Sequence, residues 1–333
     1  MSKISILIPA KNTANFLPNC LHSILEQSEE NWELLIVNDH STDDTLEVLK
    51  AYEKRDKRIR ILENKGFGII EALRLAYAQS NGAFITRMDS DDVMMPNKLA
   101  LLKETLEAVG KGHLAVGLVQ YFSSEPLGNG YVKYQNWLND LTQNSTNFQE
   151  IYKECVIPSP CWMSYKCDVE SCQAFNPNVY PEDYDLCFRF YEKGLKVVGV
   201  KEVLHQWRDY PSRSSRTDEH YSDNRFLDLK LHYFLKLDHQ QSRPLILWGA
   251  GKKGKLIAQK LIEKELAFRW VCNNEKKIGK DIYGQRMESF DLVSKIENPQ
   301  LIITVAGEEV QQNIVEFLDK NAFKKSENYF FFC

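Results

Sequence analysis

After three residues the chain enters a continuous apolar run, ISILIPA at residues 4–10, which suits a strand buried on both faces. Phe16, Leu17, Cys20, Leu21, Ile24 and Leu25 then recur at helical spacing and predict an amphipathic helix. WELLIVN predicts a second strand running to Asp39. STDDTLEVLKAY predicts a helix with Ser41 or Thr42 as N-cap and acids in its first turn. RIRILE is a third strand that runs into NKGFG. A helix over about residues 68–79 and a fourth strand, AFITRM, complete the series.

Strands alternating with helices predict an α/β fold whose mainly parallel sheet is covered on both faces. In such sheets ligands bind beyond the carboxyl ends of the strands. Those ends carry Lys11 and Asn12, then Asp39, then Asn64 and Lys65, then Asp89 and Asp91, so polar groups gather on one edge. Residues 110–180, rich in Asn, Gln, Pro and aromatic side chains including Trp137 and Trp162, predict an irregular cover facing a substrate. A helix over about residues 218–240 then leads to PLILWGAGKKGKLIAQKLIEKEL, a new strand, glycine turn and helix, with FRWVCNN and QLIITVAG as further strands. The expected division is an α/β domain at 1–217, a helical linker at 218–242 and a small Rossmann-like α/β domain at 243–333.

Composition narrows the class. A chain of 333 residues favours two domains. Its 43% apolar and 26% charged residues are ordinary for a soluble globular protein. A net charge of −4 argues against a nucleic-acid partner. Eight cysteines without a CxxC pair or zinc spacing predict reduced thiols in a cytosolic protein. The start shows no signal-peptide pattern, and no apolar run approaches the roughly 18 residues of a membrane span. The expectation is a cytoplasmic protein, soluble or at most peripheral.

Three stretches carry candidate chemistry. In MDSDD, the carboxylates of Asp89, Asp91 and Asp92 either begin the next helix or hold Mg²⁺ or Mn²⁺, which take oxygen ligands and often bind through one or two carboxylates plus substrate phosphates. In PEDYDL, Glu182, Asp183 and Asp185 either complement a helix dipole or supply a general base. In HQWRDYPSRSSR, Trp207, Arg208, Arg213 and Arg216 with three serines form either a phosphate clamp or an exposed basic loop.

Taken in order, ILIPAKN, LLIVNDHSTDDT, ENKGFG, ITRMDSDDVMMP, EDYDLCFRF and QWRDYPSRSSR resemble family 2 glycosyltransferases of the GT-A fold, over about residues 1–217. The resemblance implies transfer of a sugar from a nucleotide-sugar donor to a hydroxyl acceptor, with inversion. The expected donor is a UDP-sugar, with dTDP and GDP donors open. The implied acceptor is a saccharide or lipid-linked saccharide of bacterial surface polysaccharide or glycoconjugate synthesis. Peripheral association with the inner membrane face and a homodimer are compatible with it. Asp39 matches the acid that meets the nucleobase, and Pro9, Ala10, Asn12, Asn64 and Gly66 match other parts of the nucleotide pocket. Asp89 and Asp91 match the D-x-D pair that holds Mn²⁺ or Mg²⁺, with Asp91 the direct ligand and Asp89 nearer the ribose. Asp183 matches the catalytic base with Glu182 beside it, and Arg208 the loop that closes on the diphosphate. The chain departs from the pattern at His40, where many members have Gly, and at Tyr210, where a common pattern has a metal-holding His.

GAGKKG places Gly249, Gly251 and Gly254 in a G-x-G-x-x-G after a strand, the context of a dinucleotide or second nucleotide site. The next strand ends in Cys272, Asn273 and Asn274, where a ribose-binding acid is expected. This segment resembles small Rossmann-like domains appended to bacterial sugar-modifying proteins, and a nucleotide-sugar or regulatory site and a docking role both stay open. So do two other classes for the whole chain: an NAD(P)-dependent oxidoreductase built on residues 243–333, and a catalytically inactive nucleotide-sugar binding protein.

Overall fold

The structure, a computed structural model, describes residues 2–211, 213 and 225–333. The chain divides into two units, Met1–Phe148 with Val156–Asp218, and Gln149–Cys155 with Glu219–Cys333.

In the first unit the predicted series forms β1 (Ile4–Ala10), α1 (Leu17–Leu25), β2 (Trp32–Asn38), α2 (Thr45–Arg55), β3 (Ile59–Glu63), α3 (Ile69–Ala78) and β4 (Phe84–Arg87). There follow β5 (Val93–Met94), α4 (Lys98–Val109), β6 (His113–Phe122), α5 (Asn129–Asn144), β7 (Trp162–Tyr165), α6 (Lys166–Ser171), α7 (Glu182–Glu192) and β8 (Lys196–Arg208). Eight strands make one sheet in the order β3-β2-β1-β4-β7-β6-β8-β5. The first four are mutually parallel, and β8 is parallel to β6, while β7 runs antiparallel to both its neighbours. This is the expected α/β fold with a mostly parallel sheet. The run ISILIPA is apolar because β1 lies between β2 and β4, with α1 packing Leu17, Leu21 and Ile24 into the same core. Burying each such side chain is worth roughly 1.5–3 kcal/mol.

Two local expectations are corrected. Residues 110–180 are more regular than their composition suggested, holding the ten-residue β6 and the sixteen-residue α5. The amides of α5 have a backbone task. Asn139 accepts from the Val119 N–H and donates to its carbonyl, and Gln135 accepts from the Tyr121 N–H. Helical spacing of four residues thus matches strand spacing of two, and polar side chains serve β6 beyond Val116, where its pairing with β7 ends. Ser41 and Thr42 do not cap α2, whose N-cap is Asp44. They bind Asn12 instead: its N–H donates to Ser41 Oγ, and its Oδ1 accepts from the Thr42 N–H.

The second unit contains α8 (Arg225–Leu237), β9 (Leu245–Trp248), α9 (Lys252–Glu263), β10 (Arg269–Cys272), β11 (Asp281–Ile282), β12 (Gln285–Ser289), β13 (Gln300–Ile303), α10 (Glu308–Lys320) and β14 (Tyr329–Phe331). Its sheet runs β11-β12-β10-β9-β13-β14, parallel except at β11. Gln149–Cys155 belongs to this unit through Tyr152, whose ring lies 5.4 Å from Phe332 and 5.6 Å from both Phe234 and Phe330. The Tyr152 hydroxyl donates to Asp238 at 2.5 Å. The start of the expected linker helix, residues 218–224, lies outside the described residues. All eight cysteines are free. Among the described residues no helix is long and apolar enough to cross a membrane.

Candidate functional site

Arg87 ends β4 and is buried, so its charge requires partners. It has two. Nη2 donates to Asp89 Oδ1 at 3.0 Å, and Nη1 donates to Glu182 Oε1 at 2.9 Å. One guanidinium therefore ties the aspartate loop after β4 to the first turn of α7. Burial pushes the Asp89 carboxyl up, but the Arg87 charge, seconded by Arg213, holds it below the ordinary carboxylate value.

The other two aspartates have different surroundings. Asp91 accepts a hydrogen bond from the Tyr210 hydroxyl at 2.7 Å, and the Arg213 charge acts on it. Burial, together with the Asp92 and Asp89 charges, pushes it up to about 6. Asp92 is fully buried, accepting from His205 Nε2 at 2.9 Å and from the Arg208 N–H at 2.7 Å. The alternative in which this motif begins the next helix is excluded, because β5 intervenes and α4 starts at Lys98 behind Asn97. His205 is itself kept neutral: burial, reinforced by Lys98, drives its pKa well below the ordinary value.

Arg208 ends β8, which β5 flanks on the sheet edge. Its Nε donates to the Asp91 carbonyl at 2.7 Å, and its guanidinium lies 4.9 Å from the Phe16 ring centre and 4.5 Å from that of Phe122. Nη2 is buried without a partner among the described residues, a donor that costs stability until an acceptor arrives. Arg213 is close enough for Asp92, Asp91 and Asp89 to raise its pKa. Arg216 and the serines 212, 214 and 215 of the same loop lie outside the described residues.

Asp183, partly exposed in the first turn of α7, is pushed up to about 7 by burial and by the Glu182 charge, with Arg87 opposing. It lines a cavity with Arg87, Ser159, Trp162 and Phe190. A carboxyl that titrates near neutrality has the basicity a general base needs.

At the neighbouring strand ends, Asp39 is buried and organises the loop after β3. Its Oδ1 accepts from Asn64 Nδ2 at 2.6 Å, and both oxygens lie 3.1 Å from the Gly68 N–H, at a glycine with φ of +88° that L side chains rarely adopt. Gly66 donates to Asn64 Oδ1, and its carbonyl accepts from His40 Nε2 at 2.8 Å. Pro9 and Ala10 end β1, and Asn12 links that end to the loop after β2. The structure therefore gathers Asp39, Asn64 and Gly66 in one loop system. It gathers Asp89, Asp91 and Arg208 in a second, and Arg87 joins that to Glu182, the neighbour of Asp183. Arg87, Lys98, His205 and Tyr210 received no role from their sequence positions. The available signal was a cation set inside an apolar stretch, as in FITRM and NKLALL.

No three His, Cys, Asp or Glu side chains among the described residues converge into a metal cage. The donor set that is present, the carboxylates of Asp89 and Asp91, fits a hard divalent ion that draws its other ligands from phosphate and water.

In the second unit, Gly249 has φ of +125°, and a Cβ on Gly254 would stand 2.2 Å from the Gly249 carbonyl oxygen. A Cβ on Gly251 would meet nothing within 4 Å. The loop carbonyls are engaged, Gly249 by Trp270 Nε1 and Ala250 by Lys277 Nζ, and Asn273 accepts from Trp248 Nε1.

The glycosyl transferase family 2 model matches residues 5–172, half of the chain, and the protein belongs to that family. An uncharacterized glycosyltransferase of Rickettsia bellii is 30% identical over 182 residues, 55% of this chain and 24% of that protein. The chondroitin synthase of Pasteurella multocida is 40% identical over 105 residues, 31% of this chain and 11% of that one. The chain thus spans well under half the length of these two relatives. Among solved structures, S. aureus TarS 1-349 in complex with UDP-GlcNAc aligns with a TM-score of 0.54 at 17% identity, over 78% of this chain and 71% of that one, a likeness of fold.

Proposed function

We propose that the first unit is an inverting, metal-dependent hexosyltransferase that moves a sugar from a nucleotide-sugar, with a UDP-sugar as the expected donor, to a hydroxyl of a saccharide or lipid-linked saccharide. The observation that carries this reading is the division of labour among the carboxylates. Asp89 gives one oxygen to Arg87 and Asp92 is held by His205 and the Arg208 N–H, which leaves Asp91, with Asp89 beside it, for a cation, while Asp183 titrates near neutrality one residue from the Arg87 partner Glu182. The UDP-GlcNAc complex of the TarS structure and the polysaccharide product named for the chondroitin synthase relative support the choice of donor and acceptor class.

In this reading the Asp39, Asn64 and Gly66 loop receives the nucleoside, and Asp91 with Asp89 holds Mn²⁺ or Mg²⁺. A cation bound there would supply charge neutralisation for the departing diphosphate. The unpartnered Nη2 of Arg208 donates to a phosphate oxygen. Asp183 takes the acceptor proton as the hydroxyl oxygen bonds to the anomeric carbon, and the bond from that carbon to the diphosphate oxygen breaks. A single displacement of this kind inverts the anomeric configuration. The test is a donor screen that measures nucleotide released from several nucleotide-sugars with and without Mn²⁺. Metal-dependent release supports the reading, and release that ignores the metal refutes its metal-dependent part. A chain that binds nucleotide but releases none from any donor is a binding protein.

A further inference from the structure

Beneath the aspartate loop lies a buried polar chain that the proposed chemistry does not use. Lys98 opens α4 yet is 0% exposed, as are His205 and Asp92. Lys98 Nζ stands 3.3 Å from His205 Nδ1 and donates to the Pro160 carbonyl, and His205 Nε2 stands 2.9 Å from Asp92 Oδ2. Hydrogen-bond polarity orders the row. An ammonium only donates, so Nδ1 accepts and the ring proton sits on Nε2, from which it is donated to Asp92. The backbone N–H of Arg208 is likewise an obligate donor, and it occupies the other oxygen, Oδ1. Both Asp92 oxygens therefore accept, and the imidazole links Lys98 to Asp92.

The row ends at the site. The Arg208 backbone that Asp92 holds carries the guanidinium whose Nε fastens the Asp91 carbonyl, and two residues further on stands Tyr210, whose hydroxyl fastens the Asp91 carboxylate. We propose that Lys98 and His205 are positioning residues of the donor site, acting through Asp92 to fix the Arg208–Tyr210 segment over Asp91. This rests on the glycosyltransfer reading given above. The arrangement explains why a lysine is placed inside the core, where an apolar side chain would pack without the cost of desolvating a charge. It also gives Asp92, the third acid of MDSDD, a task different from that of its neighbours.

Two variants separate positioning from general structural damage. His205→Leu removes the acceptor for Lys98 and the donor for Asp92 together. His205→Gln places an amide N–H where Nε2 stands and offers Oε1 to the flexible lysine. With a UDP-sugar and saturating Mn²⁺, His205→Leu raises the donor KM tenfold or more, and His205→Gln stays within about threefold of the parent. A structural role alone would lower the amount of active enzyme and leave KM unmoved. The imidazole ¹⁵N spectrum of His205 supplies an independent signature: a protonated Nε2 and an unprotonated Nδ1 at pH 7.5, with that preference lost in Lys98→Met. A parent enzyme that turns over donor while His205→Leu keeps its KM overturns the positioning role alone, as does a proton found on Nδ1. A parent enzyme that releases no nucleotide from any donor overturns the glycosyltransfer reading, and the role with it.

Discussion

Replacing Asp183 by Asn tests the base assignment in activity and in stability at once, and the two effects run in opposite directions. The carboxyl is pushed from its ordinary value up to about 7, chiefly by burial and then by Glu182. At roughly 1.4 kcal/mol per pH unit, that displacement has a ceiling of about 4 kcal/mol. Partial exposure and the sharing of charge with Glu182 reduce it to about 1–2 kcal/mol. The sign follows from linkage. A raised folded-state pKa makes a contribution that is whole at low pH and is lost as pH rises through about 7. Above neutrality the ionised side chain opposes folding, and Asn, which carries no charge, does not. Asp183→Asn is therefore expected to raise the melting temperature at pH 8 by roughly 2–6 °C, with the gain vanishing toward pH 4. Turnover falls about 10²–10⁴-fold, the range a general base supplies. In the parent, kcat/KM for donor cleavage rises with pH and levels off above about 7. The assays are nucleotide release from a UDP-sugar, binding of UDP with Mn²⁺, and melting scans at pH 4, 6 and 8. An Asn variant that keeps turnover within tenfold of the parent, or that is less stable at pH 8, refutes the reasoning.

Asp91 titrates at about 6, so its affinity for Mn²⁺ should weaken as pH falls below that value, by up to about tenfold per unit, which metal titrations between pH 5 and 7.5 would read. Uniform affinity across that range would remove Asp91 as the direct ligand. Arg87→Met leaves the buried Glu182 and the half-buried Asp89 without their guanidinium and should cost roughly 3–5 kcal/mol in urea unfolding. A loss under 1 kcal/mol would show that Arg87 does not bridge them. Tyr152→Ala should destabilise the second unit, by about 3–5 kcal/mol, because it empties the space among Phe234, Phe330 and Phe332. Unfolding followed by Trp248 and Trp270 fluorescence checks this, and an unchanged transition would mean that Gln149–Cys155 contributes nothing there.

The sequence by itself determined the first four strands of the first sheet with the helices between them, and the position of each acidic motif at a strand or helix end. Those features are local: an apolar run, a helical stripe or a turn residue acts within about ten residues of itself. The loops carrying Asp39, Asn64, Asp89 and Asp91 were legible for that reason, and so was the glycine turn at Gly249. Pairing was decided only by the tertiary structure. Asp89, Asp91 and Asp92 look alike in MDSDD, yet one meets Arg87 two residues away, one meets Tyr210, and one meets His205 from a distant strand. The amides of α5 read as irregular sequence because their partners lie on β6, and Gln149–Cys155 read as part of the first domain because its contacts are with Phe234, Phe330 and Phe332. Charge and hydrogen-bond partners are chosen by where the backbone brings two groups together, and no window along the chain contains that information.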